Sequence, residues 1–200
     1  MKPSVQITPI TRRALVSGAI AAVALSAMPA TTLAHDEGVG RMKFGPEVRY
    51  IPQWQDFYVR HPELVAWEKA RPRFGPRDWR RMETIVRRQD HPYRPDGSHD
   101  VWRLLGPGEA GDCEDMALTL MRDLVADGFA LGSIRPLISF PRCDAHMTLR
   151  VTAEEGDFVI LCQRKLIVRW KELDWDWHSC HSVGSDWLLY DRRVTELSER

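Results

Sequence analysis

Two residues in this chain have the types and setting for acyl-transfer chemistry. Cys113 lies in Gly111-Asp112-Cys113-Glu114-Asp115, and His146 lies further along in Ala145-His146-Met147-Thr148-Leu149. A thiol beside an imidazole can attack a carbonyl carbon, with the imidazole taking and returning the proton. The surroundings of the sulfur complicate this. Asp112, Glu114 and Asp115 crowd it with carboxylates, and like charge raises a thiol pKa. A protonated histidine or a bound divalent cation would offset that charge.

The elements that must position the pair are legible. From Cys113 onward Met116, Ala117, Leu120, Met121, Leu124 and Val125 recur at helical spacing, with Asp112 as N-cap, Asp115 three residues later, and Gly128 as a stop. This makes Cys113 the first residue of a helix, where free N–H groups and the positive dipole end favour thiolate. Leading into it, the irregular stretch 90–111 carries His91, Tyr93, His99 and Trp102 and could line a cleft.

After the helix the period changes to two. Residues 134–140 and 145–152 read as strands. In the second, Met147, Leu149 and Val151 face one side, and His146, Thr148 and Arg150 the other. A turn at 154–157, strands at 158–163 and 166–170, and an aromatic tail through Trp175, Trp177, Trp187 and Tyr190 complete a strand-rich second half. Helices first and antiparallel sheet second predict an α+β fold.

Upstream, residues 35–76 form a Pro- and aromatic-rich segment expected to pack on the core, with helices predicted over 53–60 and 63–70. Residues 77–89 predict a surface helix with Trp79, Met82, Ile85 and Val86 inward and arginines outward. Residues 77–200 form the main domain. Residues 1–34 read as an export signal: Arg12-Arg13, a small-residue apolar run too short for a membrane span, and a Thr-Leu-Ala exit. The paired arginines suggest the twin-arginine route and a periplasmic or secreted product.

Removing that segment takes away Lys2, Arg12 and Arg13 and no acid, so a net charge of zero becomes −3. Nothing here advertises nucleic-acid binding. Cys143, Cys162 and Cys180 could form a disulfide or stay free. His178, Cys180 and His181 could bind a metal with Cys143 or Cys162, although their spacing matches no common zinc signature.

The segments around Tyr93, Asp96 and Trp102, then Gly111-Asp112-Cys113-Glu114-Asp115-Met116-Ala117-Leu118, Ala145-His146-Met147-Thr148-Leu149 and Gly156-Asp157-Phe158-Val159, resemble the bacterial transglutaminase-like cysteine peptidases over roughly residues 77–187. The resemblance implies a papain/transglutaminase-like fold with the Cys-bearing helix packed on an antiparallel sheet. It implies Cys113 as nucleophile, His146 as base, and a protein or peptide substrate, in some members a cell-surface adhesin. It also implies a calcium ion near Asp112, Glu114 and Asp115, with no cofactor needed for the chemistry itself.

The family's orienting Asp, in a Leu-Asp-Asn segment, falls on Ile160-Leu161-Cys162-Gln163, where no carboxylate stands. A two- or four-residue hairpin loop would put Leu161 and Gln163 on the face of His146. A three-residue loop with a bulge at Gly156 would put Cys162 there. Of these, Gln163 could hold the imidazole by a neutral hydrogen bond, so it is the third candidate catalytic residue. The expectation is an exported cysteine peptidase with a degenerate third position. The alternative is an inactive relative that binds peptide or protein through the same cleft.

Overall fold

A helix buried on almost every side and crossing a seven-stranded sheet sets the architecture. A computed structural model describes residues 40–48, 51–96, 100–141, 144–184 and 186–191. The 1–34 segment, His99 and Cys143 lie outside the described residues.

In chain order the elements are β1 (Phe44–Val48), α1 (Pro52–Arg60), α2 (Pro76–Arg88), α3 (Cys113–Ala126), β2 (Ile134–Phe140), β3 (His146–Ala153), β4 (Gly156–Leu161), β5 (Leu166–Arg169), β6 (Asp176–His181) and β7 (Trp187–Tyr190). The strands pair antiparallel throughout, in the order β1-β7-β6-β2-β3-β4-β5. No described helix is long and apolar enough to cross a membrane.

The period-3.6 pattern of α3 becomes burial. Met116, Ala117, Leu118, Leu120, Met121 and Leu124 all lie in the core. A helix apolar nearly all round must be covered on both sides. Here β3 lies on one side, and α2 adds Met82 and Val86 from another, its arginines facing out. The capping box is half formed. Asp112 accepts from the Asp115 backbone N–H at 3.3 Å, but the Asp115 carboxylate does not reach back and instead accepts from the Arg103 N–H at 2.9 Å. The loop before α3 is thus fastened along the helix, and Thr119 Oγ1 does the same by accepting from the Leu105 N–H at 2.8 Å. Gly111 makes this fit possible, since a Cβ there would meet Asp115 Cβ and Leu105 Cδ2 at 2.8 Å.

Two upstream expectations change. Residues 63–70 form no α-helix: one 3₁₀ turn (Pro62–Leu64) is followed by buried Val65 and Ala66. This segment then crosses so close to Gly132 that a Cβ there would stand 2.2 Å from the Glu68 carbonyl oxygen. β1 carries no strand signal in the sequence because Pro46 interrupts its pattern. As an edge strand, it tolerates the missing N–H.

The β3–β4 turn contains two residues, Glu154 and Glu155, with Ala153 opposite Gly156. Side-chain alternation follows. Met147, Leu149, Val151, Phe158, Ile160 and Cys162 face α3, while Val159, Leu161 and Cys180 belong to a second cluster on the other face. Cys162 and Cys180 therefore point to opposite sides of the sheet, and both are free thiols. The alternative with Cys162 on the His146 face does not occur.

Candidate active site

Cys113 opens α3 and His146 opens β3, so packing the helix on the sheet brings both positions to one end of the molecule. The Met147 N–H, next in chain to His146, donates to Cys113 Sγ at 3.5 Å. The thiol itself donates to Glu114 Oε2 at 2.8 Å. Among the described residues no hydrogen bond joins the thiol to the His146 ring.

The electrostatics keep the sulfur protonated. Cys113 is only 8% exposed, and burial, then the Glu114 charge, push its pKa well above the ordinary thiol value. The Met147 N–H works in the opposite direction but does not win. The helix N-terminus alone therefore does not yield a resting thiolate. Glu114 is itself raised to about 7, by burial first and by neighbouring Asp112, while the thiol hydrogen bond opposes the shift. Asp115, fully buried, is raised to about 6 by desolvation, against the hydrogen bond from the Arg103 N–H.

The His146 ring is half-buried, which lowers its pKa, and the positive charge of Arg164 adds to the effect. Its ring meets Trp175 edge-on, with centroids 5.9 Å apart. A neutral imidazole is the state in which it could accept a proton.

The far side of the ring is less well provided. Gln163 does not extend β4: the strand ends at Leu161, and residues 162–164 coil into a 3₁₀ turn closed by Lys165 at φ 56°. Gln163 is exposed there and makes no hydrogen bond to His146 among the described residues. Leu161, within the segment where the family's orienting Asp is expected, is buried and lies on the His146 side of the sheet.

The three acids flanking the sulfur do not act as one ligand set. Glu114 accepts the hydrogen bond of the thiol, and Asp115 turns to Arg103, whose Nε stands 3.4 Å from its Oδ2. Only Asp112 joins a group fit for a cation, with Asp96 and Asp100, one oxygen from each lying within 4.8 Å of the others. Repulsion from Asp112 and Asp96 adds to burial in raising the Asp100 pKa, and an all-oxygen set suits a hard cation such as calcium. Sequence spacing gave no reason to join Asp96 and Asp100 to Asp112. The loop places them together.

His178, Cys180 and His181 are separated as well. His178 Nδ1 pairs with Ser179 Oγ at 3.0 Å, Cys180 lies on the outer sheet face, and His181 inserts between Trp54 and Trp187 and bonds Gly184 O at 2.7 Å. No metal group forms from them among the described residues.

Residues 53–191 match the family described as bacterial transglutaminase-like cysteine proteinase (BTLCP). Among solved structures the chain is similar to Legionella pneumophila LapG, at 20% identity and a TM-score of 0.48, covering 70% of this chain and 81% of that one. Its calcium-bound form gives 21% identity and a TM-score of 0.48 over the same shares. The EGTA-treated form gives 20% and 0.47, covering 72% and 81%. No curated protein matches.

Proposed function

Given that the chain belongs to the bacterial transglutaminase-like cysteine proteinase family, we propose that it is an exported cysteine peptidase acting on a protein substrate, with Cys113 as nucleophile and His146 as base. The observation that carries this reading is the contact of Cys113 Sγ with the backbone N–H next to His146, at the start of a buried helix. For reaction, the thiol leaves Glu114 and gives its proton to the neutral imidazole. The sulfur adds to the peptide carbonyl, and N–H groups at the helix start, Cys113's included, hold the oxyanion. The imidazolium then protonates the departing amine, and water hydrolyses the thioester with His146 again as base.

Asp96, Asp100 and Asp112 would hold a calcium ion, whose charge would offset the carboxylates that oppose ionisation of Cys113. Residues 1–34, with their paired arginines, support export by the twin-arginine route.

One observation favours a second reading, an inactive relative that binds peptide or protein in the same cleft. Leu161 gives the imidazole no acceptor, and Gln163 is turned to solvent. Thiol reactivity separates the two. In a peptidase, iodoacetamide labels Cys113 well below pH 8, and His146→Ala suppresses the labelling. Labelling no faster than an ordinary free thiol, and unchanged in His146→Ala, would support the binding module.

A further inference from the structure

The sheet face turned away from α3 holds a cavity of about 200 Å³ at the other end of β3 from His146. Its lining includes Lys69, Arg71, Arg135 and Arg150 and not one carboxylate. Two of these arginines stand directly opposite each other, Arg135 on β2 and Arg150 on β3. Like charges in that position repel, and both side chains are sunk in the protein, Arg135 at 5% exposure and the Arg150 side chain at 11%.

Among the described residues, only one of them is in contact with a carboxylate. Arg150 Nη2 pairs with fully buried Asp157 at 2.8 Å, while its buried Nε has no acceptor. Arg135 donates Nε and Nη2 to the Gly132 carbonyl, at 3.0 and 2.8 Å, and has no carboxylate partner among the described residues. Cys180, 4.0 Å from Arg150 Nη1, does not supply the missing charge, because burial outweighs the two guanidiniums and keeps it a thiol. His181 is held neutral by burial. A guanidinium cannot discharge at any ordinary pH, so a buried one without a counter-ion costs several kcal/mol.

The mouth of the cavity is also built. Residues 68–72 cross over it, tied by the Ala70 N–H to Gly132 O at 3.2 Å and by the Glu154 N–H to Pro72 O at 3.0 Å. The bare Cα of Gly132 is what lets them pass. Lys69 and Arg71 thereby stand exposed at the rim above Arg135.

We infer that this cavity is a binding site for a small phosphate-bearing molecule, held between Arg135 and Arg150 and closed over by Arg71 and Lys69. One guanidinium fork saturates a planar carboxylate. Two guanidiniums, with Thr152 and Ser182 lining the cavity beside them, match the double charge of a phosphate better. The volume exceeds by several-fold the roughly 30 Å³ a water occupies, leaving room for the organic part of a phosphomonoester.

Calorimetric titration with inorganic phosphate and, separately, glycerol phosphate, at ionic strength held constant with chloride, tests this. Saturable binding of either is expected. Tighter binding of the monoester identifies an organic phosphate as the ligand, and tighter binding of inorganic phosphate identifies the free ion. Arg71→Glu, on the exposed rim where folding is not at stake, should loosen binding about tenfold or more, and Arg135→Met should abolish it. Absence of saturable binding to both probes, or an affinity unchanged in Arg71→Glu, would overturn the assignment.

Discussion

The two ends of β3 face the same electrostatic difficulty and meet it in opposite ways. At the His146 end, carboxylates crowd a buried thiol. At the Arg150 end, guanidiniums crowd a buried cavity. A carboxyl can take up a proton within reach of neutral pH, and Glu114 and Asp115, at about 7 and 6, do so. An arginine has no such exit and needs a counter-ion, which Asp157 gives to Arg150 and the proposed phosphate would give to Arg135. The comparison shows how the chemistry of the crowded group decides whether a buried cluster answers to pH or to a ligand.

The largest effect that sharpens this contrast should be in stability against pH. His181, lining the basic cavity, has a folded pKa near 4 against an ordinary value of 6.5. Between those values the unfolded chain binds more protons, so stability falls as pH drops from about 6.5 towards 4, by up to about 3 kcal/mol. His181→Phe should flatten that part of a Tm-against-pH curve. Glu114 works with the opposite sign. Its folded pKa lies above its unfolded one, so its contribution declines as pH rises from about 4.5 to 7, and Glu114→Gln should remove that decline.

Next in size is repair of the imidazole's support. Leu161→Asp puts a carboxylate on the His146 side of β4, and peptidase activity should rise by about a hundredfold or more, since loss of such a group costs about 10⁴ in a comparable triad. Tm should fall, because the new carboxylate is buried. An unchanged rate in a folded variant would show that the ring is oriented by other means.

A smaller effect comes from the thiol's neighbour. Glu114→Gln removes the charge that most opposes ionisation after burial, and iodoacetamide labelling of Cys113 at pH 8 should quicken about tenfold, one pKa unit's worth. The smallest is structural. Thr119→Val strands the Leu105 N–H inside the core and should cost about 1 kcal/mol in denaturant unfolding, leaving the labelling rate of Cys113 unchanged.

Much of this was legible from residue order where periodicity and local signals agree. α3 begins at Cys113, and β2 and β3 fall within a residue of expectation, because long apolar stripes and clean alternation leave little choice. The hairpin arithmetic had two outcomes, and turn length decided between them. What stayed hidden depends on contacts between distant segments. Nothing local shows that Asp96 and Asp100 meet Asp112, that Asp115 turns from its cap to Arg103, or that Arg135 stands opposite Arg150. The 63–70 stretch misled for a similar reason. The helix start offered by Pro62 yields to burial of Val65 and Ala66 and to the close crossing over Gly132.

The short loop of Glu154 and Glu155 also limits how this protein could change over generations. Because alternation past the turn is fixed, a carboxylate at 160 or 162 would point into the packing beneath α3 and unsettle the core, and one at 163 would sit in solvent. Of the four positions from 160 to 163, only 161 then places a buried carboxylate on the His146 side of the sheet.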